Sequence, residues 1–261
     1  KDVPVDEWAK ASALLSKPIG CGPYMFDSFT NGSYVKPTAF DAYYGGKPKT
    51  ANFILKVVNE ATVQAELING TVDIADVSAI KNADAKQLAA KGVTVVRYPN
   101  SKVQYMGFNL RDARLDRNVR TAIAYGIDRQ AIVNGLIEGN GVVLDTPMVP
   151  SLWSYPKSGL THYTFDAQKA KDYLKKAGYQ DMNGDGFVDK DGKNLELNIY
   201  GTAGGNTRAN STVAELLESQ LKTAGIKANI KIAENLDEIK KNGEFDLLFQ
   251  NWQTVSTGDS Q

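Results

Sequence analysis

From Val103 to Asn109 the chain stays apolar and aromatic for about the length of a strand, and then its rhythm changes. Val119, Ala122, Ile123, Gly126 and Ile127 recur at the spacing of one face of an α-helix. Asp128 then offers a side-chain acceptor to the free amides of a second helix, Arg129 to Ile137. This strand–loop–helix–helix stretch, Gln104 to Arg129, lies near the middle of the chain and reads as the place where one lobe hands over to another.

On the N-terminal side, Lys1 to Leu15 reads as helical, and a Gly/Pro-rich turn, Lys17 to Tyr24, leads into a strand over Tyr24 to Phe29. Asn31-Gly32 is a hairpin signal ahead of a second strand, Ser33 to Lys36. A strand over Phe53 to Val58 and a helix over Ala61 to Ile68, ended by Asn69-Gly70, come next. The pattern then predicts a strand over Val72 to Val77, a helix from Asn82 as its cap to Lys91 with Gly92 as its stop, and a strand over Val93 to Arg97. On the C-terminal side a Pro/Trp-containing loop, Asp145 to Pro156, precedes a helix over Ala167 to Ala177, capped by Asp166 and stopped by Gly178. Strands are expected over Leu195 to Tyr200, Lys227 to Ile232 and Phe245 to Gln250. Between them lie a long helix from Asn206 to Ala224, apolar at Val213, Leu216, Leu217 and Leu221, and a short one over Asn235 to Lys241. Strands alternating with helices specify α/β lobes on mixed sheets.

Thirty basic and thirty acidic residues cancel, which argues against nucleic acid or an anionic membrane as partner. No window approaches the roughly 18 apolar residues of a membrane-spanning helix, and KDVPVDEWAK carries no signal-peptide or lipidation pattern. The single cysteine, Cys21, excludes an internal disulfide framework and reads as a small packing residue. A single histidine, His162, leaves little material for a histidine base or a multi-histidine metal site. With no Gly-x-Ser-x-Gly or His-Glu-x-x-His pattern either, no catalytic residue is assigned.

The chemistry the residues do offer is that of binding. Trp252, at a strand end, suits an aromatic wall of a cleft as well as it suits a core. Tyr105 and Phe108 lie on the strand that crosses between the lobes, with core packing the plainer role. Tyr200 and Arg208 flank a Gly-rich loop ahead of the long helix, whose first amides are unpaired donors for a ligand carboxylate; a surface role for the arginine is the alternative. Arg120 and Asp128 are out of phase on their helix, and both read as structural. Asp181, Asn183, Asp185 and Asp189, with Gly186, repeat the spacing of a calcium loop, but position 12 is Gly192 where a bidentate Glu is needed. A structural calcium is one reading of this loop; an Asp/Gly-rich turn without metal is the favoured one.

Several stretches in order carry a resemblance: Pro18-Ile-Gly-Cys-Gly-Pro-Tyr24, Gly45-Gly-Lys-Pro48, Asn69-Gly-Thr-Val-Asp-Ile-Ala75, Gly107-Phe-Asn109, Val119-Arg120-x-Ala122-x-x-Tyr125-x-Ile127-Asp128-Arg129, Phe165-Asp166 through Gly178-Tyr179, Gln220-Leu221 with Gly225-Ile226, and Phe245-Asp246-Leu247. Together they resemble the extracytoplasmic solute-binding proteins of peptide/nickel-type ABC importers, family 5. The resemblance implies a two-lobed α/β fold of periplasmic-binding-protein type, with 1–103 as part of the first lobe, 104–252 as the second and 253–261 as the start of a return crossover. It implies an internal fragment with the first lobe incomplete, its crossings near Arg97 to Gln104 and after Gln250. It also implies capture of oligopeptides and delivery to a membrane permease by a monomer outside the cytoplasm, periplasmic or lipid-anchored through an anchor beyond this chain. No cofactor is required, and Asp259 would take a peptide's terminal amine, although Ser260 stands where the family's tail has proline. A receptor for nickel or a metal–chelator complex, drawing on His162 and Arg208, is the alternative on the same scaffold. A hydrolase is the alternative of another class.

Overall fold

The structure, a computed structural model, describes residues 16–253 except 60, 78, 79, 99, 100 and 203–206, with the backbone alone over 207–211. The chain divides into two compact units. One is drawn from residues before 79 together with Gln87–Thr94, and the other from Val95 onward together with the segment ending at Lys86.

The first unit holds a three-stranded antiparallel sheet of β1 (Tyr24–Thr30), β2 (Tyr34–Ala39) and β3 (Leu55–Lys56). Asn31-Gly32 makes the tight connection expected of it, with Gly32 at φ 69°, where a Cβ would be strained. Helix α1 (Val63–Asn69) closes on Gly70 at φ 73°. Helix α2 (Asn82–Ala90) bridges the two units in sequence. Neither Val72–Val77 nor Val93–Arg97 is a strand. The amides of Thr71 and Val72 turn back to the Glu66 carbonyl, and that of Val93 to the Leu88 carbonyl, so both segments begin as helix-terminating turns. Ile74 is then left 86 % exposed, and β-propensity without a neighbouring ladder does not make a strand. Asn82 is the first residue of α2, not its cap, and its side-chain oxygen accepts from Arg97 and Asn140 instead. Cys21 is exposed, which corrects the packing role expected of it.

The second unit holds a small two-stranded ribbon of β5 (Asp189–Lys190) and β6 (Lys193–Asn194), and is built on a four-stranded mixed sheet in the order β4 (Lys102–Phe108), β9 (Leu247–Gln253), β7 (Glu196–Thr202), β8 (Lys227–Ala233). β9, β7 and β8 run parallel and β4 is antiparallel to β9. Helices α3 (Arg117–Gly126), α4 (Arg129–Ile137) and α5 (Ala167–Lys176) precede β7, α6 (Thr207–Thr223) links β7 to β8, and α7 (Asp237–Asn242) links β8 to β9. The anticipated apolar stripe is the core: Val119, Ala122 and Ile123 pack with Leu174, Leu197, Ile199, Val213, Leu217, Leu221 and Leu247. The caps are as read, with Asp128 accepting from the Ala131 amide at 2.9 Å and Asp166 from Lys169 at 2.9 Å. Asp116 caps α3 in the same way, through the Val119 amide at 2.8 Å. Arg120 donates to the Leu115 carbonyl at 2.6 Å, the structural role assigned to it.

Candidate functional site

Strand register sorts the sheet of the second unit into two faces, because side chains alternate and paired residues share a side. Leu197, Ile199, Leu247, Phe249, Met106, Phe108 and Ile230 fall on one face and belong to the helix-covered core. On the other, Tyr105 stands opposite Gln250, Val103 opposite Trp252, and Tyr200 beside both Leu248 and Lys231. Three of the ligand-binding candidates, Tyr105, Tyr200 and Trp252, therefore occupy one face of one sheet. Tyr105 and Trp252 are 40 % and 53 % exposed, which decides against a core role for either. The Tyr105 hydroxyl donates to Gln250 at 3.4 Å. Phe108, by contrast, packs on the core, the plainer of its two readings.

The connectivity singles out one end of this face. From β7 the chain passes through α6 to β8 on one side, then returns through α7 to β9 on the other. The strand order thus reverses between β7 and β9. In an open α/β sheet the crevice outside the carboxyl ends of the strands at such a switch point is where ligands bind, since the connecting segments diverge there and leave a gap. Tyr200 and Trp252 lie in the C-terminal halves of the two strands that flank it. Arg208, of which only the backbone is described, follows β7, and Asp259, which follows β9, lies outside the described residues.

At the opposite, amino ends of β7 and β9 is an open depression of about 540 Å³ lined by Asn109, Arg111, Asp112, Asn198, Glu244 and Asp246. Beside it Arg114 bridges two carboxylates, Asp112 at 2.7 Å and Asp246 at 2.6 Å, and donates to the Glu196 carbonyl. Asp246 also accepts from the Asn198 amide at 2.6 Å. This cluster fixes where β7 and β9 start.

His162 belongs to a different clamp. Its Nδ1 lies 2.6 Å from an Asp145 oxygen, and Arg129 holds the other oxygen at 2.8 Å while donating to the Leu144 and Tyr163 carbonyls. Tyr163 packs edge-on against Tyr125 of α3, so the clamp sits in the helical layer, on the side of the sheet away from Tyr105 and Trp252. Burial would raise the Asp145 carboxyl, but the hydrogen bonds from His162 and Arg129 outweigh it and hold it below its ordinary range. The Lys169 amide likewise holds Asp166 low. A carboxyl depressed in the folded state contributes stability that is present above its unfolded pKa of about 4 and lost as pH falls through the folded value. Unfolding midpoints in urea should accordingly hold steady from neutrality to about pH 5 and drop below about pH 4. Asp145→Asn should flatten that acid limb; an unchanged limb would remove Asp145 from it.

In the Asp-rich loop each proposed ligand meets a protein donor. Asp181 accepts from the Gly184 and Gly186 amides, Asn183 from Asp185, Asp185 from Phe187 and Asn194, and Asp189 from Met182. Among the described residues no group of three or more His, Cys, Asp or Glu side chains is arranged to hold a metal.

The second unit is thus an open mixed α/β sheet with aromatic side chains beside its switch point, the place where sheets of this kind take ligands. Residues 1–261 match the family of bacterial extracellular solute-binding proteins, family 5 Middle, and the chain belongs to that family. It is 30 % identical over 99 % of its length to 48 % of the oligopeptide-binding protein AppA of Bacillus subtilis. The structure of that protein in complex with a nonapeptide superposes with a TM-score of 0.74, at 29 % identity over 98 % of this chain and 51 % of that one. NikZ from Campylobacter jejuni, in complex with Ni(L-His), superposes at 0.72 with 28 % identity, covering 94 % of this chain and 48 % of that one. The dipeptide-binding protein of Escherichia coli is 26 % identical over 93 % of this chain and 43 % of its own length. The chain thus spans about half the length of the relatives it matches.

Proposed function

We propose that the complete protein is the extracytoplasmic receptor of an ABC importer, periplasmic or lipid-anchored. It captures oligopeptides between two lobes and passes them to a membrane permease as a monomer, breaking no bond. The observation that carries the reading is the convergence of Tyr105, Tyr200 and Trp252 on one face beside the switch point. Rings with a polar tip give contact area with few rotors to freeze, which suits ligands of varied side chain. The likeness to an oligopeptide-binding relative points the same way. Hinging at the crossings near 97–104 and after 250 would let the lobes close, and Asp259 remains the position to which the resemblance assigns the ligand amine.

Mass spectrometry of ligand released from the complete polypeptide tests this. Peptides of mixed sequence are expected, and Trp252→Ala should reduce their retention by about tenfold or more. Release of a nickel–chelator complex, the reading favoured by the likeness to NikZ, would replace the peptide assignment.

A further inference from the structure

Six asparagines in this chain are followed by glycine: Asn31, Asn69, Asn134, Asn140, Asn183 and Asn242. Asparagine is among the chemically labile side chains, and a following glycine lets the next amide nitrogen approach it with no Cβ in the way. Local structure decides which of the six can react.

At five of them the reacting groups are held. Asn69 accepts from the Thr71 amide and hydroxyl, and the Gly70 amide donates to the Glu66 carbonyl. Asn183 accepts from the Asp185 amide, and the Gly184 amide donates to Asp181 at 2.7 Å. Asn242 donates to Glu244, and the Gly243 amide to the Lys240 carbonyl. Asn140 donates to the Ile137 carbonyl and to Asn82, and Asn134 accepts from Gln130 inside α4.

Asn31-Gly32 differs. Asn31 stays out of the positive-φ region, Gly32 is at φ 69°, and the Ser33 amide donates to the Thr30 carbonyl at 3.0 Å. Those are the marks of a type II turn, whose middle amide takes no part in the ladder. Both residues are exposed, and among the described residues neither the Asn31 side chain nor the Gly32 amide has a hydrogen-bond partner. Even a Cβ added to Gly32 would meet nothing within 4 Å.

We infer that Asn31-Gly32 is a self-modification site, at which Asn31 deamidates through a succinimide while the protein is folded. The Gly32 nitrogen gives up its proton to water or hydroxide and bonds to the Asn31 Cγ. The Cγ–Nδ2 bond breaks, and that nitrogen leaves as ammonia. Water then opens the ring, at one carbonyl to aspartate and at the other to isoaspartate. No electrons are exchanged, and water is the only co-reactant. Either product places a carboxylate in an uncharged turn. Isoaspartate also adds a methylene to the main chain between the paired residues Thr30 and Tyr34 of β1 and β2.

The test incubates the complete polypeptide at mildly alkaline pH, once folded and once unfolded in urea, and follows each Asn-Gly peptide by mass spectrometry after digestion. Each hydrogen bond that must break before attack slows it by up to about tenfold. In the folded protein the Asn31 peptide should therefore exchange ammonia for water, and split into aspartyl and isoaspartyl forms, about tenfold faster than the other five or more. In urea the six rates should converge, because the restraints are gone and the dipeptide is the same. Asn31→Gln, whose longer side chain would need a larger ring, should leave position 31 unconverted over the same period and the other five unchanged. Asn31 that stays intact in the folded protein, or converts no faster than the other five, overturns the assignment. So does a lead in urea as large as in the folded state, since the folded turn would then have no part in it.

Discussion

Arg114→Ala is expected to destabilise the protein by about 2–3 kcal/mol, measured as the shift in a urea unfolding curve. The side chains of Asp112 and Asp246 are only 14 % and 10 % exposed and share one guanidinium, which also holds the Glu196 carbonyl. Removing it leaves two carboxylates facing each other in a poorly hydrated setting. Because Arg114 itself is 45 % exposed, the loss should fall short of the 3–5 kcal/mol of a fully buried pair. Arg114→Lys should recover only part of it, since one ammonium cannot reproduce the planar fork.

The pH dependence of that variant carries the sign. Burial pushes the Asp246 carboxyl up in the wild type, whereas at Asp112 burial is outweighed by the bonds from Arg114 and the carboxyl is held low. A group raised in the folded state contributes stability that is present below its unfolded pKa and lost as pH rises through the folded value. Without Arg114 the Asp246 carboxyl should rise further, so the deficit should grow from about pH 4 towards neutrality. Adding Asp246→Asn should recover part of the loss at pH 7, because the amide still accepts from Asn198 and carries no charge. A deficit independent of pH would show that Arg114 acts through packing alone.

Nothing along the chain announces this cluster, for Arg114 and Asp246 are 132 positions apart and meet only because β9 pairs with β4 on one side and β7 on the other. The same holds for the binding face. Tyr105, Tyr200 and Trp252 are legible individually as aromatics at strand ends, but their common side depends on register between strands distant in sequence. Local chemistry is better recorded: Asp128 and Asp166 cap their helices because capping needs only the next three residues. The strands anticipated over Val72–Val77 and Val93–Arg97 failed for the opposite reason, since a ladder needs a partner that local composition does not specify.

Gly126 joins the two kinds of information. Its place on the apolar stripe of α3 is plain from spacing, but not why the position is glycine. A Cβ there would lie 3.3 Å from the Ala224 Cβ and 3.7 Å from the Ala170 Cβ, where α3 meets α5 and the end of α6. The requirement is close approach of helices, not unusual backbone, as Gly126 is not among the positive-φ glycines. Gly126→Ala should be nearly neutral: the gain in helix propensity of about 1 kcal/mol offsets a shift of a few tenths of an ångström. Gly126→Leu has no such way out, because Ala170 and Ala224 are themselves fully buried and have no room to retreat. About 3 kcal/mol of destabilisation is expected in urea unfolding, with the slope of the transition unchanged. The effect should reach the binding face too, since the helices that would be displaced pack on Leu197 and Ile199, which set the plane of β7 and with it the direction of Tyr200. Peptide retention by Gly126→Leu protein that is still folded should therefore fall below that of Gly126→Ala. A leucine variant as stable as wild type would mean that this crossing is loose and that β7 is positioned from its other neighbours.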